Sequence, residues 1–337
     1  MSDFRILRRT FRGSFVTPSL TLAILTLTLA SGSAFAQGVD IPAILNPDLK
    51  GPPTVVAVQY GHQFKSDLDD GSEMARDNVF FSVAHRIKLS EKSSFFALGS
   101  YTLHAYDFSS NNGGNVPSQV DNYQWDNVHR AVLGGLFGYE LNDRWRLIGG
   151  GLVRSWGETG ADYGDSITGG LIGGFDYHPS DDFSIGLIVG AFSSLEDSVG
   201  LVPIPTLKWN FAEDWKLHVG LVSVFDPGVG AEISWQVSDT VSIGTGLAFQ
   251  NRRYRLRDKA RATNVGGRSD DGGVGQETEV PIFALIQWRP APKATIDFLA
   301  GVAVAGNVRV ESSTGGKLSD DDYDPAPFAG VKGSIAF

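Results

Sequence analysis

The sequence contains no cysteine, and this absence excludes several kinds of site at once. Without Cys among its 337 residues, the chain has no disulfide, no thiolate metal site and no cysteine nucleophile. Stability must then come from elsewhere, and backbone hydrogen bonding in a closed sheet is one source. The net charge of −10 also argues against a nucleic-acid partner, because a phosphate backbone requires a basic face.

Long apolar runs are missing as well. No stretch approaches the ~18 consecutive apolar residues that indicate a transmembrane helix. Apolar residues nevertheless make up 42% of the chain, which is enough to bury a large surface. The mature protein is therefore expected either to be exported and soluble or to cross a membrane without helices.

The first 36 residues have the three parts of a secretory signal peptide. A basic region is followed by an apolar core of roughly ten residues at 20–29 and by the small-residue site Ala34-Phe35-Ala36. The basic residues are Arg5, Arg8, Arg9 and Arg12. We expect cleavage near Ala36-Gln37, with a buried N-terminal helix as the alternative.

The remaining chain alternates with period two, which is typical of strands with one apolar face. In the segment VFFSVAHRIKLS, Val79, Phe81 and Val83 share a face, while Ser82, Ala84 and Arg86 point the other way. Short turns with Asp, Asn, Ser or Pro join some of these segments, as in YELNDRWRL at 139–147. Longer polar connections alternate with them at 65–77, 109–125, 157–166, 193–200, 225–229, 255–277 and 311–325.

This pattern predicts an all-β fold, an antiparallel up-and-down transmembrane β-barrel of about 14 strands, with 12 possible. Short turns are expected in the periplasm and long loops outside the cell, with the barrel over residues 54–337. Residues 37–53 are expected to form a periplasmic segment or a small plug. The predicted strands begin near Thr54, Asn78, Ser94, Asn127, Arg144, Ile167, Phe183, Gly200, Asp214, Gly228, Thr240, Thr278, Ala294 and Ala326.

Aromatic residues stand beside the short turns, where a membrane barrel carries its interfacial girdle. The alternative is that these rings cap the core of a β-sandwich. The predicted girdle consists of Trp145, Tyr177, Trp209, Trp215, Trp235 and Trp288.

The chain ends in FAGVKGSIAF, an alternating strand that must pair with the first strand if no edge is to lie open in lipid. Its last residue, Phe337, resembles the C-terminal signal of bacterial outer-membrane proteins that the barrel-assembly machinery reads. That machinery is therefore an expected partner, together with outer-membrane lipid and lipopolysaccharide.

Four further stretches, PIPTLKWNFAEDWKLHVG, RRYRLRDKA, DGGVGQETEVPIFALIQW and LSDDDYDPAPFAGV, resemble a family of bacterial outer-membrane β-barrel proteins of unknown function. The resemblance implies a barrel fold and a location in the bacterial outer membrane. It implies no activity.

Motifs of catalysis are not found. The sequence has no GxSxG, HExxH or P-loop, and its six histidines are spread over different predicted strands without metal-ligand spacing. We expect no enzyme, no cofactor and no metal site, although a site assembled in space would leave no such signal.

Charged residues form two clusters near the end of the chain. The arginine cluster is predicted to contact lipopolysaccharide phosphates or an anionic solute, because the guanidinium fork fits phosphate. The alternative is a solvated pair of loops in which these arginines and the acidic run at 320–324 neutralise each other. The arginines named for this contact are Arg252, Arg253, Arg255, Arg257 and Arg261.

Other charges fall on the inward faces of the predicted strands, among them Arg86, Arg130, Arg154, Lys208, Glu232, Glu279, Asp297 and Lys332. They require a wet or internally paired lumen. The first functional hypothesis is a channel or transporter for small solutes, with a lumen that is open, narrow or blocked. The second is a non-conducting surface or structural barrel that acts through its extracellular loops. The sequence leaves the oligomeric state open.

Overall fold

The computed structural model describes residues 53–110, 125–195, 199–257, 273–313 and 315–337, and most of them lie in strands. No helix in these ranges is long and apolar enough to span a membrane. The strands are β1 (Thr54–Asp67), β2 (Ser72–Lys88), β3 (Ser93–Ser110), β4 (Asn127–Glu140), β5 (Trp145–Glu158), β6 (Ile167–Ser180), β7 (Phe183–Ser193), β8 (Val199–Ala212), β9 (Trp215–Ser223), β10 (Pro227–Ser238), β11 (Val241–Arg255), β12 (Val274–Ala291), β13 (Ala294–Glu311), β14 (Lys317–Tyr323) and β15 (Ala326–Ala336).

The sheet closes on itself. Each strand from β1 to β13 pairs antiparallel with its sequence neighbours, β13 pairs with β15, and β15 pairs with β1. In the closing pair, Val55 lies opposite Ala336 and Val56 lies opposite Ile335. The predicted antiparallel barrel is confirmed, as is the predicted pairing of the last strand with the first.

Strands β14 and β15 together make the fourteenth strand of the wall. Both pair with β13 in one register, since Gly306 lies opposite Tyr323 and Ala303 lies opposite Ala326. The interruption between them falls at Asp324 and Pro325, where the proline has no N–H to contribute to a ladder. The predicted number of fourteen strands is therefore also confirmed.

The two ends of the barrel differ in their connections. At the turn end, two to four residues join the strands, at 89–92, 141–144, 181–182, 213–214, 239–240 and 292–293. Both ends of the barrel sequence meet there, because the N–H of Thr54 donates to the carbonyl of Phe337 at 3.0 Å and the reverse bond is 2.9 Å. The longer connections lie at the opposite end, the loop end.

Turn residues explain the tightness of the turn end. In the 141–144 turn, the Asn142 side-chain oxygen accepts hydrogen bonds from the backbone N–H of Arg144 at 2.9 Å and of Trp145 at 3.0 Å. Such local bonds satisfy the donors that a reversal of the chain leaves unpaired.

The predicted loop boundaries were wrong in three places. Strand β2 begins at Ser72 rather than near Asn78, β12 begins at Val274 rather than near Thr278, and β14 lies inside the predicted 311–325 loop. The first residues of β2 and β12 are polar because their inward side chains Arg76 and Glu277 pair with each other. Strand β14 is polar because Asp320 and Asp322 bond to polar side chains of β13, Asn307 and Arg309. Polarity of this kind cannot be told from a solvated loop in one sequence.

The outer face of the wall is apolar. Alternate side chains of each strand point outward, and many of them are large and apolar. Exposed examples are Val58, Val79, Leu133, Leu171, Ile243, Phe298 and Ile335. A continuous apolar outer face is what a barrel wall presents to lipid.

Candidate functional site: the closed lumen

One hairpin leaves the wall and enters the lumen. Strand β9 pairs with β8 only as far as Val219, opposite Leu207, and β10 pairs with β11 only from Val229. Between these points, residues 220–228 form a hairpin that we call the finger. Gly220 starts it with a φ of 146°, a value that L-residues rarely adopt. Leu221 then packs among inward-facing side chains instead of facing outward.

The tip of the finger lies against the far side of the lumen. The ring of Phe225 packs on the paired glycines Gly61 and Gly330 of β1 and β15, and its centroid is 5.1 Å from that of Phe328. The side-chain amide of Gln59 donates to the Val224 carbonyl. The tip therefore bridges the lumen between β10 and the β15–β1 seam.

Asp226 fixes the finger to a set of buried cations. Its carboxylate accepts a hydrogen bond from Arg252 Nε at 2.6 Å and lies 3.4 Å from Arg130 Nη1. His104 Nε2 lies 3.5 Å from the same carboxylate. The Asp226 side chain is only 3% exposed, so these contacts replace water almost completely.

Two glutamates of β12 complete this ion-pair network. Arg252 Nη2 donates to Glu279 at 2.7 Å, and Arg76 Nη1 donates to both carboxylate oxygens of Glu277. Arg76 Nη2 also lies 3.0 Å from Glu279. The network thus contains three arginines and three carboxylates, and its formal charges cancel. Balanced pairing is what allows charges to remain buried in a low-dielectric interior.

Tyrosines and other rings close the space above the network. The hydroxyl of Tyr106 donates to Glu277 at 2.6 Å, and that of Tyr323 donates to Glu279 at 2.8 Å. The Trp125 ring stands edge-on to Tyr106 and Tyr254 at 5.6 and 5.3 Å. Because these rings are nearly fully buried, the described part of the loop end is densely packed at this level.

The wall itself narrows at the loop end. Arg255 of β11 pairs with Gly157 of β5 in parallel, although five strands separate β5 from β11 in the order of the sheet. The backbone N–H of Arg257 also donates to Glu158 Oε2 at 3.0 Å. The loop-end part of β11 has therefore crossed the lumen towards β5.

The turn-end half of the lumen is different. Its charged inward side chains are half-buried rather than buried, and they carry both signs of charge. These residues are Arg86, Asp176, Lys208, Glu232, Asp297 and Lys332. Partial exposure of inward charges indicates a vestibule that water reaches from the turn end.

A strip of apolar side chains lines one side of the lumen between these two halves. Phe192 lies across Gly170 and Gly190, where no side chain stands in its way, and the Arg154 guanidinium lies over its ring at 5.5 Å. The strip consists of Phe96, Leu98, Val132, Leu136, Leu152, Ile172, Ile188, Phe192, Val202, Ile204 and Leu221. The lumen is thus polar on one side and apolar on the other.

The arginines predicted to contact lipopolysaccharide or an anion have other contacts. Arg252 lies in the ion-pair network, Arg253 pairs with Glu311 at 2.7 Å, and Arg255 donates to the Leu195 carbonyl at 2.5 Å. Arg257 is half-exposed and pairs with Asp126 at 2.8 Å, while Arg261 lies outside the described residues. External contact by the first three would require the loop end to rearrange, and the predicted contact stays a prediction.

The predicted girdle residues lie together at the turn end. Trp145 packs against Tyr177 with ring centroids 4.6 Å apart, and Trp215 stacks on Trp235 at 5.9 Å. Trp209 and Trp288 are 45% and 43% exposed on the outer face. Phe337 is also exposed there.

Sequence reasoning missed half of the ion-pair network. Arg130 and Glu279 were assigned to inward faces, but Arg76, Asp226 and Glu277 were assigned to long polar connections. Extending the period-two alternation of β2 from Asn78 back towards its start would have placed Arg76 on the inward face. Met74, Arg76 and Asn78 occupy that face, and all are buried. No comparable signal marks Asp226, because the finger lies in a turn.

The described residues contain no group of three His, Asp or Glu side chains suited to hold a metal ion. Neither a protein-family model nor a curated protein matches this sequence.

Several solved structures resemble the chain in fold. A FadL homologue of Pseudomonas aeruginosa shares 10% identity over 86% of this chain and 91% of its own, with a TM-score of 0.46. The toluene transporter TodX of Pseudomonas putida shares 9% identity over 86% and 90%, with a TM-score of 0.39. The KdgM porin shares 12% identity over 83% and 99%, with a TM-score of 0.30. The fold assignment rests on the strand pairing of this chain itself.

Proposed function

We propose that this protein is an outer-membrane channel or transporter for small solutes, and that the finger holds it closed at the loop end. The observation that carries the proposal is a charged, half-exposed vestibule that ends at a hairpin drawn out of the wall. A barrel with a purely structural role needs neither a wet half nor a displaced hairpin.

The outer face supports the location. Its apolar side chains and the rings at the turn end suit a lipid bilayer with an aromatic belt at one interface. We place the turn end in the periplasm, where both ends of the barrel meet. Lipid and lipopolysaccharide then surround the wall, the barrel-assembly machinery reads Phe337, and cleavage near Ala36-Gln37 precedes assembly.

The contacts of the finger suit a closure that moves as one unit. Its tip is held by one aromatic ring, the side-chain amides of Gln59 and Gln250, and the Asp226 carboxylate. Only two strands connect it to the wall. If Asp226 left the network, Arg252 would still have two carboxylate partners, Glu277 and Glu279.

A second candidate function is a non-conducting barrel that acts through its loops. The observation in its favour is the dense packing of the loop end, where Arg76, Tyr254 and Glu277 are almost completely buried. A lumen filled in this way is compatible with a permanent plug.

Conductance in planar bilayers separates the two candidates. We expect the wild-type protein to open rarely and Phe225→Ala to open often in stable steps, because the substitution removes the ring from Gly61 and Gly330. Asp226→Asn should act in the same direction. Breaking a buried ion pair also costs ~3–5 kcal/mol of stability, so Phe225→Ala is the safer variant.

Heat-modifiable gel migration is the control for folding. If both variants fold and neither conducts any small ion, the lumen is a permanent plug and the second candidate stands. If Phe225→Ala conducts, its reversal potential in a salt gradient reports the selectivity of the vestibule.

A further inference from the structure

Withdrawal of the finger leaves a gap in the barrel wall. In the described part of the chain, residues 199–206 of β8 pair with β7 and have no partner on their other edge, because β9 joins β8 only from Leu207. Residues 250–255 of β11, beyond the finger, do not fill this gap. They pair with β12, and Arg255 also pairs with Gly157 of β5 across the lumen. The finger lies inside the lumen, behind this gap.

The free edge of β8 is poor in hydrogen-bond donors. Pro203 and Pro205 are two residues apart, so both missing N–H groups belong to one edge of the strand. The ladder with β7 runs without a register shift from Val199 to Trp209. The two prolines therefore interrupt no hydrogen bond to β7, and their nitrogens face the free edge. Prolines at alternate positions make this edge unsuitable for pairing with a strand from another protein.

Apolar side chains continue around this edge from the outer face to the lumen. Val199 and Leu201 are 73% and 64% exposed on the outside. On the inside, Val202 and Ile204 pack in the apolar strip with Leu221 of the finger. No charged side chain interrupts residues 199–207. A polar solute would find neither charge nor backbone N–H at Pro203 and Pro205.

We propose, on the basis of the proposed function, that this gap is a side entrance through which small apolar molecules pass between the surrounding lipid and the lumen. Their path runs from the lipid around residues 199–206 to the apolar strip. The apolar strip lies on the lumen side of the gap, where such molecules would first meet Val202, Ile204 and Leu221. The absence of N–H groups at Pro203 and Pro205 lowers the number of unsatisfied donors that this edge presents to lipid, where each one is costly.

The absence of cysteine allows a matched test of the entrance. Leu201 on the free edge and Leu171 on the fully paired strand β6 lie in one row of the sheet, since both lie opposite Ala191 of β7. They are 64% and 71% exposed, so neither Leu201→Cys nor Leu171→Cys should disturb folding. Each unique thiol is then coupled to a bulky charged maleimide.

The readout is uptake of the apolar fluorophore N-phenyl-1-naphthylamine by cells that express the full chain. We expect the adduct at position 201 to slow uptake several-fold relative to the unmodified variant, and the adduct at position 171 to leave it unchanged. Equal rates for the two adducts would overturn the side entrance.

A labelling experiment on the wild-type protein identifies the occupant. A photoreactive aliphatic diazirine should label residues 199–206 and 221–222, and unlabelled N-phenyl-1-naphthylamine should compete with it. If the labelling there is not competed and equals that around Leu171, only bulk lipid fills the gap and the proposal is wrong. If a strand of another protein, and not the probe, is found to occupy residues 199–206, the proposal is wrong as well.

The conductance experiment keeps the two proposals distinguishable. If Phe225→Ala conducts but fluorophore uptake ignores the adduct at position 201, the channel stands and the side entrance fails. If Phe225→Ala folds but does not conduct, the proposed function is wrong, whatever the uptake experiment shows.

Discussion

Arg76, Arg130 and Arg252 show that the role of a charged side chain in this barrel depends on what lies opposite it. Each is at most 1% exposed, and between them they face carboxylates from β12 and the finger. Neutralising one of these carboxylates would leave the network with a net positive charge in a dry interior, which is costly. These residues therefore specify the position of the finger as well as stabilising the loop end.

Titration of Asp321 is expected to change the stability of the β13–β14 hairpin. It belongs to β14 at the loop end, where burial and the neighbouring carboxylates of Asp70, Asp69 and Asp322 raise its pKa from 3.8 to about 6. The folded state thus binds this proton more tightly than the unfolded chain does. Protonation stabilises the β13–β14 hairpin as the pH falls through 6, and the ionised form destabilises it above that pH.

We expect Asp321→Asn to stabilise the hairpin at pH 7.5, by less than ~1 kcal/mol because solvent screens a partly exposed group. The variant should also lose the change in stability between pH 4 and pH 7, the window set by these two pKa values. Amide hydrogen exchange of residues 317–323 at several pH values measures both effects. A wild-type hairpin that exchanges faster at pH 5 than at pH 7.5, after correction for intrinsic rates, would contradict the sign.

In the proposed function, the finger is the element that sets whether the barrel conducts. It starts at Gly220, whose positive φ redirects β9, and it ends on the Gly61–Gly330 pair, which leaves room for Phe225. A Cβ atom at position 61 would lie 2.0 Å from Phe225 Cε1, a distance that no packing tolerates. The same hairpin therefore crosses the lumen and leaves the edge of β8 unpaired in the wall.

Gly61→Val should displace the finger without removing any group that holds it. We expect a higher open probability in planar bilayers than for the wild-type protein, with folding preserved because β1 keeps its pairing. Gly333→Val on β15 is the matched control, since a Cβ atom there meets nothing within 4 Å. If both variants conduct as rarely as the wild-type protein, Phe225 does not limit opening.

At the scale of the whole molecule, orientation follows from which end carries the turns. The proposed topology places Ser313, in the connection after β13, outside the cell, and Asp181, in the turn after β6, in the periplasm. A cysteine at either position would again be unique in the chain.

We expect an impermeant maleimide to label Ser313→Cys on intact cells and to label Asp181→Cys only after lysis. Both variants change exposed residues, so folding should be unaffected and total labelling after lysis should match. Labelling of position 181 alone on intact cells would mean that the barrel is inverted, and the vestibule would then face outward.

Period-two alternation, turn residues and the alternating last strand were sufficient to predict the barrel, its fourteen strands and the pairing of β15 with β1. These features are readable because alternation depends on local geometry: each strand residue must face either lipid or lumen. The aromatic residues beside the turns were readable for the same reason.

Only the tertiary structure showed that the finger lies in the lumen, that buried ion pairs fill the described part of the loop end and that β8 has an unpaired edge. Arg76 and Glu277 lie about two hundred positions apart in the chain and meet only because the barrel closes. A buried ion-pair network and a solvated loop have the same composition, since both are rich in charge. What separates them is the partner that each charge meets across the lumen, and that partner belongs to a distant strand.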